Sequence, residues 1–159
     1  MAKKDSMSLG HFLQKCLRRA KQKSLPHEDV YTRIQRSEIH GVGVFAIRRI
    51  PKGTNIFQHD NSEMVDININ EISDIDAGLK KLYDDFSIIS KDGRNYKCPK
   101  NFNNLTVAWY LNDSDESRPA NVRCDKQYNF WAIRDIEKGE ELLVNSSTYS
   151  EQPYRNKLR

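Results

Sequence analysis

Apolar residues along this chain recur with two different periods, and the switches between them mark out its elements. Leu9, Phe12, Leu13, Cys16, Leu17 and Ala20 fall three or four apart. That stripe predicts a helix from Ser8, ended by Pro26, with Lys15, Arg18, Arg19, Lys21 and Lys23 mostly on its other side. Residues 1–7 ahead of it read as disordered. Period two then takes over: Val30 to Ile34 alternates, Val42 to Ile47 resumes after a Gly-x-Gly turn, and Val65, Ile67 and Ile69 alternate with polar neighbours. The helical period returns at Ile72, Ile75, Leu79, Leu82, Tyr83 and Phe86, predicting a helix from about Glu71 with Asn70 as its cap. Ser87-Ile88-Ile89 and Tyr96-Lys97-Cys98 read as a hairpin about Asp92-Gly93. Pro99–Asn104 reads as loop and Leu105–Leu111 as a short apolar segment. Asn129–Ile136 and Glu140–Asn145 supply the last strands. Short, mostly antiparallel strands with two helices and no βαβ alternation make a mostly β, α+β fold.

One stretch is written almost twice. AIRRIPKGTNIF runs from Ala46 to Phe57, and AIRDIEKGEELL from Ala132 to Leu143. Each copy reads as strand, tight turn at Lys-Gly, strand, and the pair predicts one domain whose two ends are built alike.

Charge adds an asymmetry that the net value of +4 conceals. Residues 1–27 carry seven Lys/Arg against one Asp, and residues 60–92 hold nine Asp/Glu against three Lys. The basic part reads as a solvated amphipathic helix, with a nucleic-acid contact through residues 3–23 as the alternative; its single aromatic, Phe12, gives little support for base stacking. Three widely spaced cysteines, Cys16, Cys98 and Cys124, argue against a disulfide framework and against a structural zinc. No apolar run approaches the ~20 residues that span a bilayer, and no secretory signal is visible. A cytoplasmic or nuclear protein is the expectation.

Individual motifs are weak. Gly41-Val42-Gly43-Val44-Phe45-Ala46 fits G-x-G-x-x-A, but a polar stretch precedes it and Pro51 would cut any following helix to about one turn, so a dinucleotide fold is not supported. His40 and His59 lack a partner at ligand spacing, and Ser114 lacks a nucleophile-elbow context.

Their order is more informative than any one of them. His40-Gly41-Val42-Gly43-Val44-Phe45-Ala46 is followed by Ile50-Pro51-Lys52-Gly53. Tyr110-Leu111-Asn112-Asp113-Ser114, Pro119-Ala120-Asn121 and Ala132-Ile133-Arg134-Asp135-Ile136-Glu137-Lys138-Gly139-Glu140-Glu141-Leu142 come later. In this order the chain resembles the SET-domain family of protein-lysine methyltransferases over about residues 30–150. The resemblance implies a β-clip whose final segment threads under a loop near the Asn112 motif, an exception to the rarity of knotted chains. Residues 28–150 would form that domain, 1–27 a basic helical extension, and 151–159 a tail. It implies S-adenosylmethionine held by Gly41, Val42, Gly43, Asn112 and Asp113, with Phe45, Tyr110, Tyr128, Trp131 and Tyr154 lining a lysine channel. The acidic segment 60–92 would be a variable insert facing a Lys/Arg-rich peptide through charge complementarity.

Two positions depart from the family pattern. Its Asn-His-Ser is Asn112-Asp113-Ser114 here, with two residues inserted before Pro119, and its Asp-Tyr aligns with Asn145-Ser146. A serine hydroxyl is several ångströms too short to replace a phenol in place. Tyr149 is therefore the candidate catalytic tyrosine. The resemblance leaves two readings open: an active methyltransferase, or a catalytically impaired module that keeps cofactor or peptide binding.

Overall fold

The structure, a computed structural model, describes residues 27–90 and 92–149. The predicted basic helix and Tyr154 lie outside the described residues, as does the predicted nucleic-acid contact through residues 3–23. The chain divides into two units, Met1–Val30 and Tyr31–Arg159. Of the first, the described residues form a single turn closed by Val30 N donating to His27 O.

In the second unit, strands β1 (Thr32–Arg36), β2 (Val42–Ala46), β7 (Val122–Cys124), β8 (Phe130–Ala132) and β9 (Glu141–Val144) pair in the order β1-β2-β9-β7-β8, with β6 (Asn112–Asp113) also on β9. A second sheet orders β3 (Met64–Asn68), β5 (Asn95–Pro99) and β4 (Ile88–Ile89) as β3-β5-β4 and carries helix α1 (Ala77–Asp85). The architecture is mostly β, as the alternating positions imply. The larger core gathers Val44, Ala46, Ile50, Ile56, Val122, Ala132, Ile136 and Leu142. A smaller one joins Ile72, Ile89 and Tyr96 within the insert. Edge-on ring contacts of Tyr83 with Phe102 and Phe86 with Tyr110 tie the insert to the rest.

The duplicated stretch pairs with itself. Ile50 and Ile136 exchange N–H···O bonds of 2.9 and 3.0 Å. Gly53 N donates to Ala132 O, and Gly139 N to Ala46 O, both at 2.8 Å. Ala46 N donates to Glu140 O, and Ala132 N to Thr54 O. Position for position, each copy makes on the other the bonds that the other makes on it, so the two are related by an approximate local two-fold. Both Lys-Gly turns form: Thr54 N returns to Pro51 O and Glu140 N to Glu137 O, with Gly53 and Gly139 at φ +83° and +89°. A glycine third in such a turn makes it type II, which splays its arms rather than pairing them. The arms therefore pair across the two copies instead of closing two separate hairpins.

Other elements differ from their predicted bounds. The insert helix begins at Ala77, not near Glu71, because Asp76 Oδ1 accepts from Gly78 N and Leu79 N and caps it there. Residues Ile69–Ile72 form a 3-10 turn capped by Asn68 instead of Asn70. The predicted strand Asn129–Ile136 is regular over Phe130–Ala132, with Ile136 returning as an isolated bridge. The predicted loop Pro99–Asn104 carries the end of β5 and a 3-10 turn at Phe102–Asn104.

Strand β9 positions everything that follows. It runs antiparallel to β2 and parallel to both β6 and β7, through Asn112↔Leu143, Asp113↔Val144 and Val122↔Val144. Residues 114–121 connect β6 to β7, so the terminal strand is held at both ends of one loop, as expected of a segment drawn under it. The two-residue insertion noted in the sequence folds as a local turn: Asp115 accepts from the N–H groups of Ser117 and Arg118 and pairs with the Arg118 guanidinium at 2.6 Å.

Candidate functional site

Three segments meet on β9: the Gly41–Gly43 bend, the Asn112-Asp113 strand and the turn that leads to Tyr149. Asn112 Nδ2 donates to Val42 O at 3.0 Å and to Glu141 Oε1 at 2.8 Å, and reaches His40 O at 3.5 Å. Ser37 Oγ holds the other Glu141 oxygen at 3.1 Å. The glycine bend and Asn112 are thus in direct contact. The close approach that makes glycine necessary at position 43 is to this chain's own side chains. A Cβ on Gly43 would sit 2.0 Å from Glu141 Oε1 and 2.9 Å from Asn112 Nδ2. Gly43→Ala should therefore lower stability by about 1–3 kcal/mol, because Glu141 must leave both partners. Chemical denaturation of Gly43→Ala alone and in a Glu141→Ala background checks this: the cost should shrink where the glutamate is absent. Gly41 is different. It is exposed, and a Cβ there would meet nothing within 4 Å.

Asn121, quoted in the sequence motif but given no role there, is 2% exposed. Its Nδ2 donates to Glu141 O and its Oδ1 accepts from Leu143 N, each at 2.8 Å. Its own N–H bonds Leu143 O, and its carbonyl accepts from Ile133 N. One buried side chain thereby fastens β9 to the start of β7 and to the second copy of the repeat.

The C-terminal turn follows directly. Asn145 Oδ1 accepts from Ser147 N and Oγ, capping the 3-10 turn Ser146–Thr148, and Tyr149 N closes it on Ser146 O. Ser146 is buried, and its hydroxyl donates to Asp113 Oδ2 at 2.6 Å while its N–H donates to Asp113 Oδ1 at 2.9 Å. The two positions that depart from the family pattern are bonded to each other. Tyr149 packs its ring edge-on against Phe130, 6.1 Å between centroids, and Phe130 packs in turn against Phe57 at 5.7 Å. Burial pushes the Tyr149 phenol well above its ordinary range, with the Cys124 thiol and the Asp113 carboxylate adding to the shift. At neutral pH this tyrosine is a neutral hydrogen-bonding group.

The channel candidates separate. Tyr110 packs against the large core, and Phe45 is half-buried on β2. Tyr128 is exposed at φ +62°, with the Lys97 ammonium 5.9 Å from its ring. Trp131 points its indole N–H at Asp125, 2.8 Å away, under the Arg123 guanidinium. Alternation along β8 puts Phe130 and Ala132 on the core face and Trp131 on the other. The aromatic neighbour of Tyr149 is therefore Phe130, a residue the sequence reading passed over.

Asp125 organises that hairpin, accepting from Gln127 N, Asn129 N and Nδ2, and Trp131 Nε1. These bonds, the indole N–H first, hold its carboxyl down at about 2 against an ordinary 3.8. A carboxyl depressed in the folded state stabilises fully above its unfolded value and loses that contribution as pH falls through the folded one. Thermal midpoints should consequently drop between about pH 4 and pH 2, and Asp125→Asn should be less stable at neutral pH with a flatter acid limb.

The acidic insert presents less free charge than its composition implies. Asp76 caps α1, Asp84 accepts from Tyr96 Oη, and Asp66, Asp85 and Glu63 pair with Lys97, Lys81 and Lys100. Glu71 and Asp74 are exposed beside them. A cleft of about 690 Å³ lies between His59–Glu63 and Pro99–Thr106, where the chain enters and leaves the insert sheet. Cys98 and Cys124 are free and buried, and burial raises both thiols, Cys124 to about 12. Among the described residues, no group of three or more His, Cys, Asp or Glu is placed to hold a metal ion, and no helix is long and apolar enough to cross a membrane.

With this geometry in view, a family model for the SET domain matches residues 41–145, from the glycine bend to the residue after β9. The chain belongs to the SET-domain family. Among solved structures it is similar to a Plasmodium falciparum protein assigned as a histone methyltransferase, at 21% identity and a TM-score of 0.47, covering 73% of this chain and 92% of that one. No curated protein matches. Membership gives the sequence motifs a common frame: the SET domain match opens on Gly41 and closes on Asn145, so Ser146 and Tyr149 lie just beyond it.

Proposed function

We propose that this SET-domain chain is an S-adenosylmethionine-dependent protein-lysine N-methyltransferase acting on a basic protein segment inside the cell, in cytoplasm or nucleus. The observation that carries the reading is the Tyr149 phenol, desolvated against Phe130 at the end of a turn that β9 sets beside the Asn112 and Gly41 segments. The residues present fit the cofactor. The bend at His40–Val42 is open where Gly41 lacks a side chain, and Asn112 borders it. Gly41, Val42, Gly43 and Asn112, with the backbone of Asp113, would hold it.

When bound, S-adenosylmethionine supplies an electrophilic methyl group on a sulfonium. What the chain adds is alignment. Direct displacement needs the amine on the line of the methyl–sulfur bond, and fixing reactants in such a geometry supplies much of an enzyme's acceleration. Tyr149, kept neutral by burial, can hydrogen-bond the incoming amine without taking a charge. Phe130, with Phe57 packed behind it, gives the phenol an apolar wall that favours the uncharged lysine, whose free pKa is about 10.4. Exposed Glu71 and Asp74 on the insert favour Lys/Arg-rich segments over acidic ones.

Ser146, standing where the family pattern has its tyrosine, favours a second reading, a module that binds cofactor or peptide without transferring methyl groups. Calorimetry with S-adenosylmethionine, followed by transfer from labelled cofactor to a mixture of basic proteins, separates the two. Binding with transfer to lysine is the expected result. Binding without transfer establishes the module, and absence of cofactor binding overturns the methyltransferase and leaves at most a module that binds peptide alone.

A further inference from the structure

We propose that Asp113 is a positioning residue for Tyr149, acting through the two hydrogen bonds its carboxylate accepts from Ser146. The inference rests on Tyr149 being the residue that orients the amine, and it gives the Asp113 side chain a task other than cofactor contact.

Both carboxylate oxygens are engaged. Oδ1 takes the Ser146 N–H at 2.9 Å and Oδ2 the Ser146 hydroxyl at 2.6 Å. Bonds to an ionised acceptor are roughly twice as strong as neutral ones. The arrangement is fixed at its base, because Asp113 pairs with Val144 in the β6–β9 ladder and Ser114 N donates to Val144 O. From Ser146 the turn is short: Asn145 caps Ser147, Thr148 N and Oγ1 return to Asn145 O, and Tyr149 N bonds Ser146 O. Ser146 is the residue through which a turn of three residues is joined to the sheet. Without the carboxylate, its N–H and its hydroxyl lose these two bonds, and the turn that carries the phenol is held less firmly to the sheet.

This also accounts for the pairing of the two departures from the family pattern. A tyrosine at position 146 could not place a hydroxyl on Asp113 in this way, and a serine there offers no phenol to the reaction. Serine hands the phenol's role three residues on, and aspartate secures the turn that delivers it. The hydroxyl of Ser146 is thereby turned toward Asp113 and takes no part in methyl transfer.

The test compares Asp113→Ala with Asp113→Asn, since asparagine keeps an acceptor for the Ser146 N–H and a donor for its hydroxyl while losing the charge. The first readout is independent of activity. In the wild type, phenolate absorbance corrected by Tyr149→Phe should show Tyr149 ionising well above the ordinary tyrosine range. In Asp113→Ala, the residue should titrate near the ordinary tyrosine value of about 10. Asp113→Asn should restore most of the protection. Cys124, the other group that raises the phenol, is unchanged throughout. The second readout is kcat, expected to fall ~10- to 100-fold in Asp113→Ala and to recover in Asp113→Asn, a cost in line with a small misplacement of an aligning group. That loss should vanish in a Tyr149→Phe background.

An Asp113→Ala phenol that ionises no earlier than the wild type's overturns the proposal, and so does Asp113→Asn behaving like alanine, which would mean charge and not hydrogen bonding. A kcat loss that persists without Tyr149 also overturns it. If the wild type transfers no methyl group, the proposed activity fails while the titration still decides the positioning. Should Asp113→Ala not fold, Ser146→Ala removes the Oδ2 bond alone and should give the same titration in weaker form; no shift there overturns the proposal.

Discussion

Replacing Tyr149 by phenylalanine should reduce methyl transfer at least ~100-fold while S-adenosylmethionine still binds. The substitution removes one oxygen and keeps the ring that packs on Phe130, so the fold has little to lose. Burial, with the Cys124 thiol and the Asp113 carboxylate adding to it, raises the phenol above its ordinary range, which fits the role proposed for it. Single-turnover measurement with a basic protein mixture separates the chemical step from binding. A fall in kcat with an unchanged KM assigns the hydroxyl to the transition state. Full activity of Tyr149→Phe would remove this tyrosine from the mechanism altogether.

The largest expected effect on stability lies at Asn121. Asn121→Ala would leave Glu141 O and Leu143 N without partners in a position 2% exposed. Two buried groups stranded together cost about 3 kcal/mol, a large part of the total for a domain of this size. Thermal unfolding should move down by roughly 10 °C. The damage should also be local, since both groups belong to β9: hydrogen exchange should rise first over residues 141–149. Asn121→Asp tests the mechanism, because it keeps the acceptor for Leu143 N and cannot donate to Glu141 O. It should fall between the wild type and alanine. Equal loss in the two variants would point to shape and not to the amide.

How legible was all this in the chain? Alternation found β1, β2 and β3, where apolar and polar positions alternate along the chain, while β9, buried on both faces at Leu142, Leu143 and Val144, was marked by the repeat. The Lys-Gly turns were legible for the same local reason, a glycine where the turn needs positive φ. What the arms of those turns pair with was not, because pairing 86 positions apart leaves no local mark. The start of α1 was misread since Asn70 and Asp76 are both good caps, and tertiary packing of Ile72 and Ile75, outside the helix, imitates its period. Strands β6 and β7 are too short to show a period at all.

At the site, Asn112, Asp113 and the glycine bend were legible through the order of the motifs. Tyr149 followed only from noticing that Ser146 could not serve. Phe130 was missed in favour of Tyr128 and Trp131, although parity along Asn129–Ile136 would have chosen it: Phe130 and Ala132 share a face, and Ala132 belongs to the repeat. The engagement of Asp113 by Ser146 had no sequence signal. Their separation of 33 positions is closed only by a parallel ladder between β6 and β9.

The reciprocal pairing of the two copies has a consequence for how the chain is made. The first copy, from Ala46, can complete no bond of that set until the second, from Ala132, has left the ribosome. At ordinary elongation rates of 5–20 residues per second, the interval is roughly 4 to 17 s. Through it, the apolar side of β2 and the paired face of Ile50 wait uncovered, since β9 is nearly the last element to appear. Folding of this domain waits on the synthesis of β9, and a chain truncated before Glu141 should collect with chaperones or precipitate instead of populating a smaller native form.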